Sequence, residues 1–92
     1  MDLTELRMQI DGIDDELVRL FQRRMDVAAE IAKVKLQKGL AVYDPLREQQ
    51  KLCELSEKAE DRCKEYITRL YSLIFELSRA EQERIIDAGA RL

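Results

Sequence analysis

The chain has 92 residues, of which 46% are hydrophobic and 38% charged, with three glycines and one proline. This composition is typical of long amphipathic helices and the length suits one domain, so an all-α fold over residues 1–92 is expected. A net charge of −3 without a basic block argues against nucleic-acid binding. The sequence shows neither a signal-peptide pattern nor a long apolar run, which predicts a cytoplasmic protein without membrane contact.

The first predicted element is one uninterrupted helix over residues 3–38. Asp2, followed three residues later by Glu5, forms a capping-box pattern, and Gly39 is a natural C-terminal stop. Apolar residues recur at alternating steps of three and four, which defines a heptad seam: Leu3, Leu6, Ile10, Ile13, Leu17, Leu20, Val27, Ile31 and Val34. Where this seam requires a further hydrophobic residue the chain has Arg24, which is costly to bury unless an anion meets it.

The length of this helix predicts a dimer. About 35 residues at 1.5 Å each span about 50 Å, whereas a compact chain of this size is only about 30 Å across. The rest of the chain is therefore too small to cover the seam. We expect an intertwined helical homodimer in which two long helices pair along their seams and each chain covers the exposed half of the other.

The second predicted helix, over residues 45–59, carries a carboxylate on its inward face. Asp44 is a good N-cap, and Pro45 occupies the favoured first helical position. The inward stripe contains Leu52, Leu55 and Ala59. One turn before this stripe stands Glu48, with Arg47 beside it.

A polar turn is predicted at residues 60–64, followed by a third helix over residues 64–87 and a frayed tail at residues 88–92. The inward stripe of the third helix reads Ile67, Tyr71, Ile74, Ser78, Gln82 and Ile85. Two neutral polar residues, Ser78 and Gln82, therefore interrupt its apolar face.

Five polar residues thus stand near or on the inward faces of the three helices: Arg24, Lys35, Glu48, Ser78 and Gln82. Each has a plain structural explanation: Arg24 could snorkel or set the helix register, and Lys35 could be a solvated helix-end charge. Glu48 could form an ion pair with Arg47, Lys51 or Arg24. Ser78 and Gln82 could make polar contacts between packed helices. Together, with more cations than anions, the five predict a walled pocket for a small anionic ligand, because arginine binds carboxylates bidentately.

The chemistry of such a pocket is restricted by what the sequence lacks. It contains no histidine and no evident nucleophile–base pair, so acid–base or covalent catalysis is poorly supported. An enzyme of this composition would act by positioning and electrostatic stabilisation. No cofactor is expected, and Cys53 and Cys63 in a histidine-free chain predict two reduced thiols rather than a metal site.

From about Leu6 to Gln82 the chain resembles the all-helical, AroQ-type chorismate mutases. The matching elements occur in order: Leu6-Arg7, Ile10-Asp11 and Ile13-Asp14; Arg23-Arg24; Lys33-Val34-Lys35; Val42-Tyr43-Asp44-Pro45-Leu46-Arg47-Glu48; and Tyr66-Ile67-Thr68-Arg69-Leu70 leading to Ile74, Glu76, Ser78 and Gln82. The resemblance implies an intertwined homodimer of three-helix chains with two active sites shared between subunits. It also implies the Claisen rearrangement of chorismate to prephenate, on the route to phenylalanine and tyrosine.

The resemblance further assigns roles to residues at the centre of the reaction. Arg24 would bind one substrate carboxylate, and Arg7 would reach another carboxylate from the partner subunit. Lys35 would contact a carboxylate and the ether oxygen, and Gln82 would donate to that ether oxygen. Arg7 lies one residue off the seam, so its role rests on the resemblance alone.

The remaining assignments concern the two ends of the substrate. Glu48 would hold the ring hydroxyl, with Arg47 and Asp44 completing the hydroxyl side, and Ser78 would line the carboxylate end. Because the rearrangement is pericyclic, it needs no general base, which agrees with the absence of histidine.

Two other functions remain open at this stage. An isochorismate–pyruvate lyase on the same scaffold would use a similar cationic pocket, although Glu48 beside Arg47 suits the hydroxyl of chorismate. A non-catalytic helical dimerisation or regulatory module would need only the heptads. The resembling domains also occur fused to prephenate dehydratase, prephenate dehydrogenase or an aldol-type synthase, so the chain could be part of a bifunctional enzyme.

Overall fold

The chain folds into three α-helices and one short 3-10 turn in a computed structural model that describes residues 1–90. The helices are α1 (Leu3–Lys38), α2 (Pro45–Lys58) and α3 (Lys64–Ala90), with the 3-10 turn at Asp61–Cys63. The described residues contain no strand, which confirms the predicted all-α class and its very long first helix. Helix α2 ends one residue before the predicted boundary.

Helix α3 extends beyond its predicted end at residue 87 because its last turn is packed. A methyl group added at Gly89 would lie 2.6 Å from Leu36 Cδ2 near the end of α1. The absence of a side chain at Gly89 therefore allows the two helix ends to approach closely. Helix α3 thus continues three residues beyond the predicted end, and residues 91–92 of the predicted frayed tail lie outside the described residues.

The ends of α1 are defined by the capping residues expected from the sequence. Asp2 Oδ1 accepts a hydrogen bond from the Glu5 backbone N–H at 2.8 Å. Gly39 adopts the left-handed conformation with φ of 65°, and the following Leu40 N–H donates to the Lys35 carbonyl at 2.9 Å. This pattern closes the helix and turns the chain toward α2.

Helix α3 packs against both other helices and runs parallel to α1. Ala28 and Ala32 of α1 are almost fully buried, as is Phe75 of α3, and the small alanine side chains allow the two helix axes to approach closely. The face of α1 that α3 covers is therefore an alanine face beside the heptad seam. The sequence reasoning missed this second apolar face.

The heptad seam remains uncovered within one chain. All nine seam residues are between 41% and 60% exposed, and every residue from 1 to 23 is exposed. The chain measures 55 × 27 × 14 Å with a radius of gyration of 16.6 Å, against about 12 Å for a compact domain of this length. The N-terminal half of α1 thus extends beyond the other helices. Within residues 1–90, no helix has both the length and the apolar character that crossing a bilayer requires.

The turn at Gly39 generates a stability prediction. Gly39→Ala should lower the free energy of unfolding by about 1 kcal/mol, because a side chain disfavours the left-handed conformation. Gly12→Ala is the matched control, since an added methyl group there meets no atom within 4 Å and mid-helix alanine is favoured over glycine by about 0.5–1 kcal/mol. Urea unfolding at one protein concentration measures both changes. Equal effects of the two substitutions would contradict the assigned role of Gly39.

Candidate functional site

A pocket of about 400 Å³ lies between α1, the α1–α2 connector, α2 and α3. Its wall contains seven of the eight site residues predicted from the sequence, with further polar and apolar neighbours: Arg24, Val27, Ala28, Ile31, Lys35, Val42, Asp44, Arg47, Glu48, Lys51, Phe75, Ser78, Arg79 and Gln82. All five residues that interrupt the apolar stripes therefore meet in one place. The volume suits a small organic molecule.

The charge of the pocket is strongly positive. Five cationic side chains line it, against the two carboxylates of Asp44 and Glu48. Apolar side chains separate these charges from part of the solvent, so the cations attract an anion more strongly than they would in open water. A ligand with two negative charges would restore most of the balance.

Arg24 lies on the pocket wall above an aromatic ring. Its guanidinium carbon is 5.6 Å from the centre of the Phe75 ring, a cation–π arrangement. Phe75 is buried between α1 and α3, so the ring is a fixed support. Arg24 therefore breaks the heptad seam, and Phe75 of the same chain supports its guanidinium beside the pocket.

Lys35 forms the most connected polar group of the site. Its Nζ donates to the Val42 carbonyl at 2.8 Å and to Gln82 Oε1 at 2.9 Å. The explanation of Lys35 as a solvated helix-end charge is therefore wrong, because its ammonium links α1 to the connector and to α3. An ammonium carries three hydrogens, and these two bonds use two of them.

Gln82 is oriented by partners on both sides of its amide. Its oxygen accepts from Lys35, and its Nε2 donates to Ser78 Oγ at 3.2 Å. Both Gln82 and Ser78 are less than 8% exposed. Since the ammonium of Lys35 can only donate, it places the amide oxygen on its own side and the N–H groups away from it. The Ser78 bond uses one of the two Nε2 hydrogens.

Glu48 pairs with a residue that the sequence reasoning did not consider. Arg79 Nη1 donates to Glu48 Oε1 at 2.5 Å and to Oε2 at 2.6 Å, so the pairs expected with Arg47, Lys51 or Arg24 are not the ones formed. The hydrogen bond from Arg79 to Glu48 raises the pKa of the Arg79 guanidinium above its ordinary value. Arginine is protonated at neutral pH even at its ordinary pKa, and the contribution of the Arg79–Glu48 pair to stability is lost on the basic side only as the pH rises through the raised pKa.

Two further wall residues could have been found from helical spacing. Arg79 follows the inward Phe75 by four residues, and Lys51 follows Glu48 by three, so each lies on the same helix face as a pocket residue. They were missed because neither interrupts the apolar stripe itself. Residues that flank a stripe line a pocket as readily as residues within it.

Asp44 and Arg47 join the pocket at the start of α2. Asp44 Oδ1 accepts from the Arg47 backbone N–H at 3.1 Å, as expected for the N-cap. This carboxylate therefore fixes the start of α2, whose first turn carries Glu48. Both residues are exposed.

Arg7 does not take part in the pocket of its own chain. It is exposed on the N-terminal half of α1, about 25 Å along the helix axis from Arg24 at 1.5 Å per residue. An arginine side chain is far too short to span that distance. The predicted role of Arg7 therefore requires a second chain.

The described residues thus form an all-helical chain with a cationic pocket of small-molecule size. Its sequence defines the class further: the chain belongs to the chorismate mutase type II family, whose family model matches residues 6–83. The resemblance expected from the motifs is thereby confirmed.

Individual relatives agree with this family. The chorismate mutase of Methanocaldococcus jannaschii is 26% identical over 91 residues, which covers 92% of this chain and 88% of the relative. The bifunctional chorismate mutase/prephenate dehydratase of Escherichia coli strain K12 is 36% identical over 86 residues, covering 91% of this chain and 22% of the relative. The T-protein of Haemophilus influenzae is 46% identical over 46 residues, half of this chain.

The relatives differ in length from the chain. The matched part is only 12% of the Haemophilus influenzae T-protein and 16% of the T-protein of Enterobacter agglomerans, whereas it is nearly all of the Methanocaldococcus jannaschii protein. The similarity to the longer relatives thus concerns only a part of each. Comparison with solved structures gives no significant match.

Proposed function

We propose that this chain catalyses the rearrangement of chorismate to prephenate in aromatic amino acid biosynthesis. The observation that carries the proposal is the meeting of Arg24, Lys35, Glu48 and Gln82 around one pocket in a chain of the chorismate mutase type II family. Chorismate is a dianion with a ring hydroxyl and an ether oxygen. The pocket offers cations, a carboxylate acceptor and an amide donor for these groups.

The cations would act first on the shape of the substrate. Chorismate prefers an extended diequatorial form in water, and the rearrangement needs the compact diaxial form. Arg24 would bind one carboxylate and Lys35 would contact the other. Together they would favour the compact form, so that binding energy is used to orient the reacting groups. Phe75 beneath Arg24 limits the directions in which that guanidinium can move.

Lys35 and Gln82 would then stabilise charge on the ether oxygen as the C–O bond breaks. Two Lys35 hydrogens are held by Val42 and Gln82, which leaves the third to meet the oxygen. Gln82 is held by Lys35 and Ser78, and its second Nε2 hydrogen can donate to the same atom. Donors fixed before the reaction need no reorganisation during it, which is the basis of electrostatic catalysis.

Glu48 would accept a hydrogen bond from the ring hydroxyl, with Arg47 and Asp44 near the same end of the pocket. A carboxylate whose charge Arg79 balances can accept this bond without repelling the dianion strongly. The rearrangement transfers no proton to the protein, so no residue needs to act as a general base.

Direct assay tests the function and its charged residues. The protein should consume chorismate, measured as loss of its absorbance, and form prephenate. Arg24→Ala and Lys35→Ala should each lower kcat/KM on the order of 10²- to 10³-fold, because each removes a preorganised donor, while circular dichroism remains that of the folded protein.

Lys33→Ala is the matched control for these substitutions, since Lys33 is exposed and pairs with Glu30 on the surface of the same helix. It should stay within about twofold of the unaltered protein. Full turnover by Lys35→Ala would show that the assignment of Lys35 is wrong. Isochorismate serves as the second substrate, and pyruvate release from it in preference to chorismate turnover would favour the lyase instead.

The pH dependence follows from the kind of donor used. Gln82 does not titrate, and the chain contains no histidine, so kcat/KM should change by less than about twofold between pH 6 and pH 8. Initial rates in a constant-ionic-strength buffer series measure this. A steep loss of turnover in that interval would contradict an amide donor at the ether oxygen.

We further propose that the active form is a homodimer in which Arg7 of one subunit completes the pocket of the other. Two features support this: the nine-residue apolar seam exposed along α1 and the position of Arg7 far from the pocket of its own chain. An apolar stripe of this length, interrupted at Arg24, is the kind of surface that a second helix covers.

Subunit mixing tests the shared site. Arg7→Ala and Lys35→Ala chains should each be nearly inactive alone, but their heterodimer should recover a site with both residues intact, about half the activity of an unaltered dimer. The mixture of Arg24→Ala and Lys35→Ala chains is the control, because every site in that heterodimer lacks one residue. No recovery in the first mixture, or a monomeric mass in solution, would exclude the shared site.

A further inference from the structure

We infer that Arg79 is a positioning residue that holds the Glu48 carboxylate toward the pocket, and that Tyr43 holds Arg79 in turn. The inference rests on the proposed function, in which Glu48 accepts the ring hydroxyl of the substrate. It adds to that function a residue outside the set predicted from the motifs. Arg79 is argued to act through Glu48 rather than on the substrate.

The geometry of the pair fixes both oxygens of Glu48. One nitrogen, Arg79 Nη1, lies 2.5 Å from Oε1 and 2.6 Å from Oε2, so the carboxylate can neither rotate nor swing without losing a bond. The two side chains are 29% and 23% exposed, which limits competition from water. Each oxygen can accept more than one hydrogen bond, so the contact with Arg79 leaves capacity for a hydroxyl.

The position of Arg79 on a different helix decides which way Glu48 points. Lys51 lies one turn along α2 from Glu48 and would draw the carboxylate along the surface of α2. Lys51 instead pairs with Glu54 at 3.4 Å. Arg79, from α3, draws the carboxylate across the gap between the helices, and that gap is part of the pocket.

Tyr43 restricts Arg79 from the other side. The guanidinium carbon of Arg79 is 4.8 Å from the centre of the Tyr43 ring, a stacking distance for a cation on an aromatic face. The connector that carries Tyr43 is itself tied to Lys35 through the Val42 carbonyl. The Tyr43 ring itself is 58% exposed, so it is the backbone of the connector that is fixed, and Arg79 lies between this ring and the carboxylate of Glu48.

Charge gives a second reason for the pair. Without Arg79, the Glu48 carboxylate would be free to turn toward Arg24 or Lys35, which line the same pocket, and would occupy the cations needed by the substrate carboxylates. Arg79 balances Glu48 locally. Its loss should therefore weaken substrate binding as well as hydroxyl placement, so both KM and kcat should respond.

A double-mutant cycle tests whether Arg79 acts through Glu48. Arg79→Met should lower kcat/KM for chorismate on the order of 10- to 100-fold, the range expected for a charge-assisted hydrogen bond. In the Glu48→Gln background the same substitution should change kcat/KM by less than about threefold, because the partner has lost its charge. Arg62→Met is the matched control, since Arg62 pairs with Glu60 in the exposed turn, and it should have no effect.

Conservative variants distinguish positioning from general support of the fold. Arg79→Lys keeps the charge but not the planar guanidinium that stacks on Tyr43, so it should recover only part of the activity lost in Arg79→Met. Tyr43→Phe keeps the ring and should stay near the unaltered rate, whereas Tyr43→Leu should lower kcat/KM about two- to fivefold, the range of a cation–π contact at an exposed site, with an unchanged midpoint of urea unfolding. These variants decide the matter if Arg79→Met fails to fold.

Three outcomes would overturn the inference: full activity of folded Arg79→Met, losses that multiply in the double variant, or equal activity of the two Tyr43 variants.

If the unaltered protein does not consume chorismate, the proposed function fails instead. The pair is then judged by urea unfolding at one protein concentration. Additive midpoint shifts for Arg79→Met and Glu48→Gln would exclude the coupling, and non-additive shifts would support it.

Discussion

The hydrogen bond between Lys35 and Gln82 is the contact on which the arrangement of the pocket depends. It joins the C-terminal part of α1 to α3, the two longest helices, and the same ammonium holds the connector through Val42. Removal of either partner would leave a largely buried polar group of the other unsatisfied, which is costly in the interior. The contact therefore stabilises the fold while it orients two donors into an open pocket.

The two apolar faces of α1 serve different contacts. The alanine face at Ala28 and Ala32 is buried by α3 within one chain, and small side chains suit such a close approach. The heptad seam has large side chains and remains exposed. Arg24 stands on the seam where these faces adjoin the pocket. A single helix can thus serve the packing of one subunit and the proposed contact with another.

The helices and most of the pocket could be predicted from the sequence because their signals are local. Capping residues and apolar spacing mark helix ends and faces, and a polar residue on an apolar stripe marks a site. Spacing could have placed Arg79 beside the pocket but could not have revealed its pairing with Glu48, because a charged residue beside a stripe looks the same whether it meets solvent or a carboxylate on another helix. Its role depends on how α2 and α3 are placed relative to each other. The packed end of α3 at Gly89 was missed for the same reason, since only the tertiary contact with Leu36 reveals it.

The distribution of charge in the pocket explains why its polar side chains form hydrogen-bonded groups and do not stand alone. An isolated cation in a partly buried site loses hydration, and that loss is offset only when its hydrogens find partners. Lys35 meets this need with two neutral oxygens, so it keeps its net positive charge for a ligand. Arg79 meets it with Glu48, so that pair is nearly neutral. Lys35 therefore contributes an uncompensated positive charge to the pocket, whereas the Arg79–Glu48 pair contributes almost no net charge.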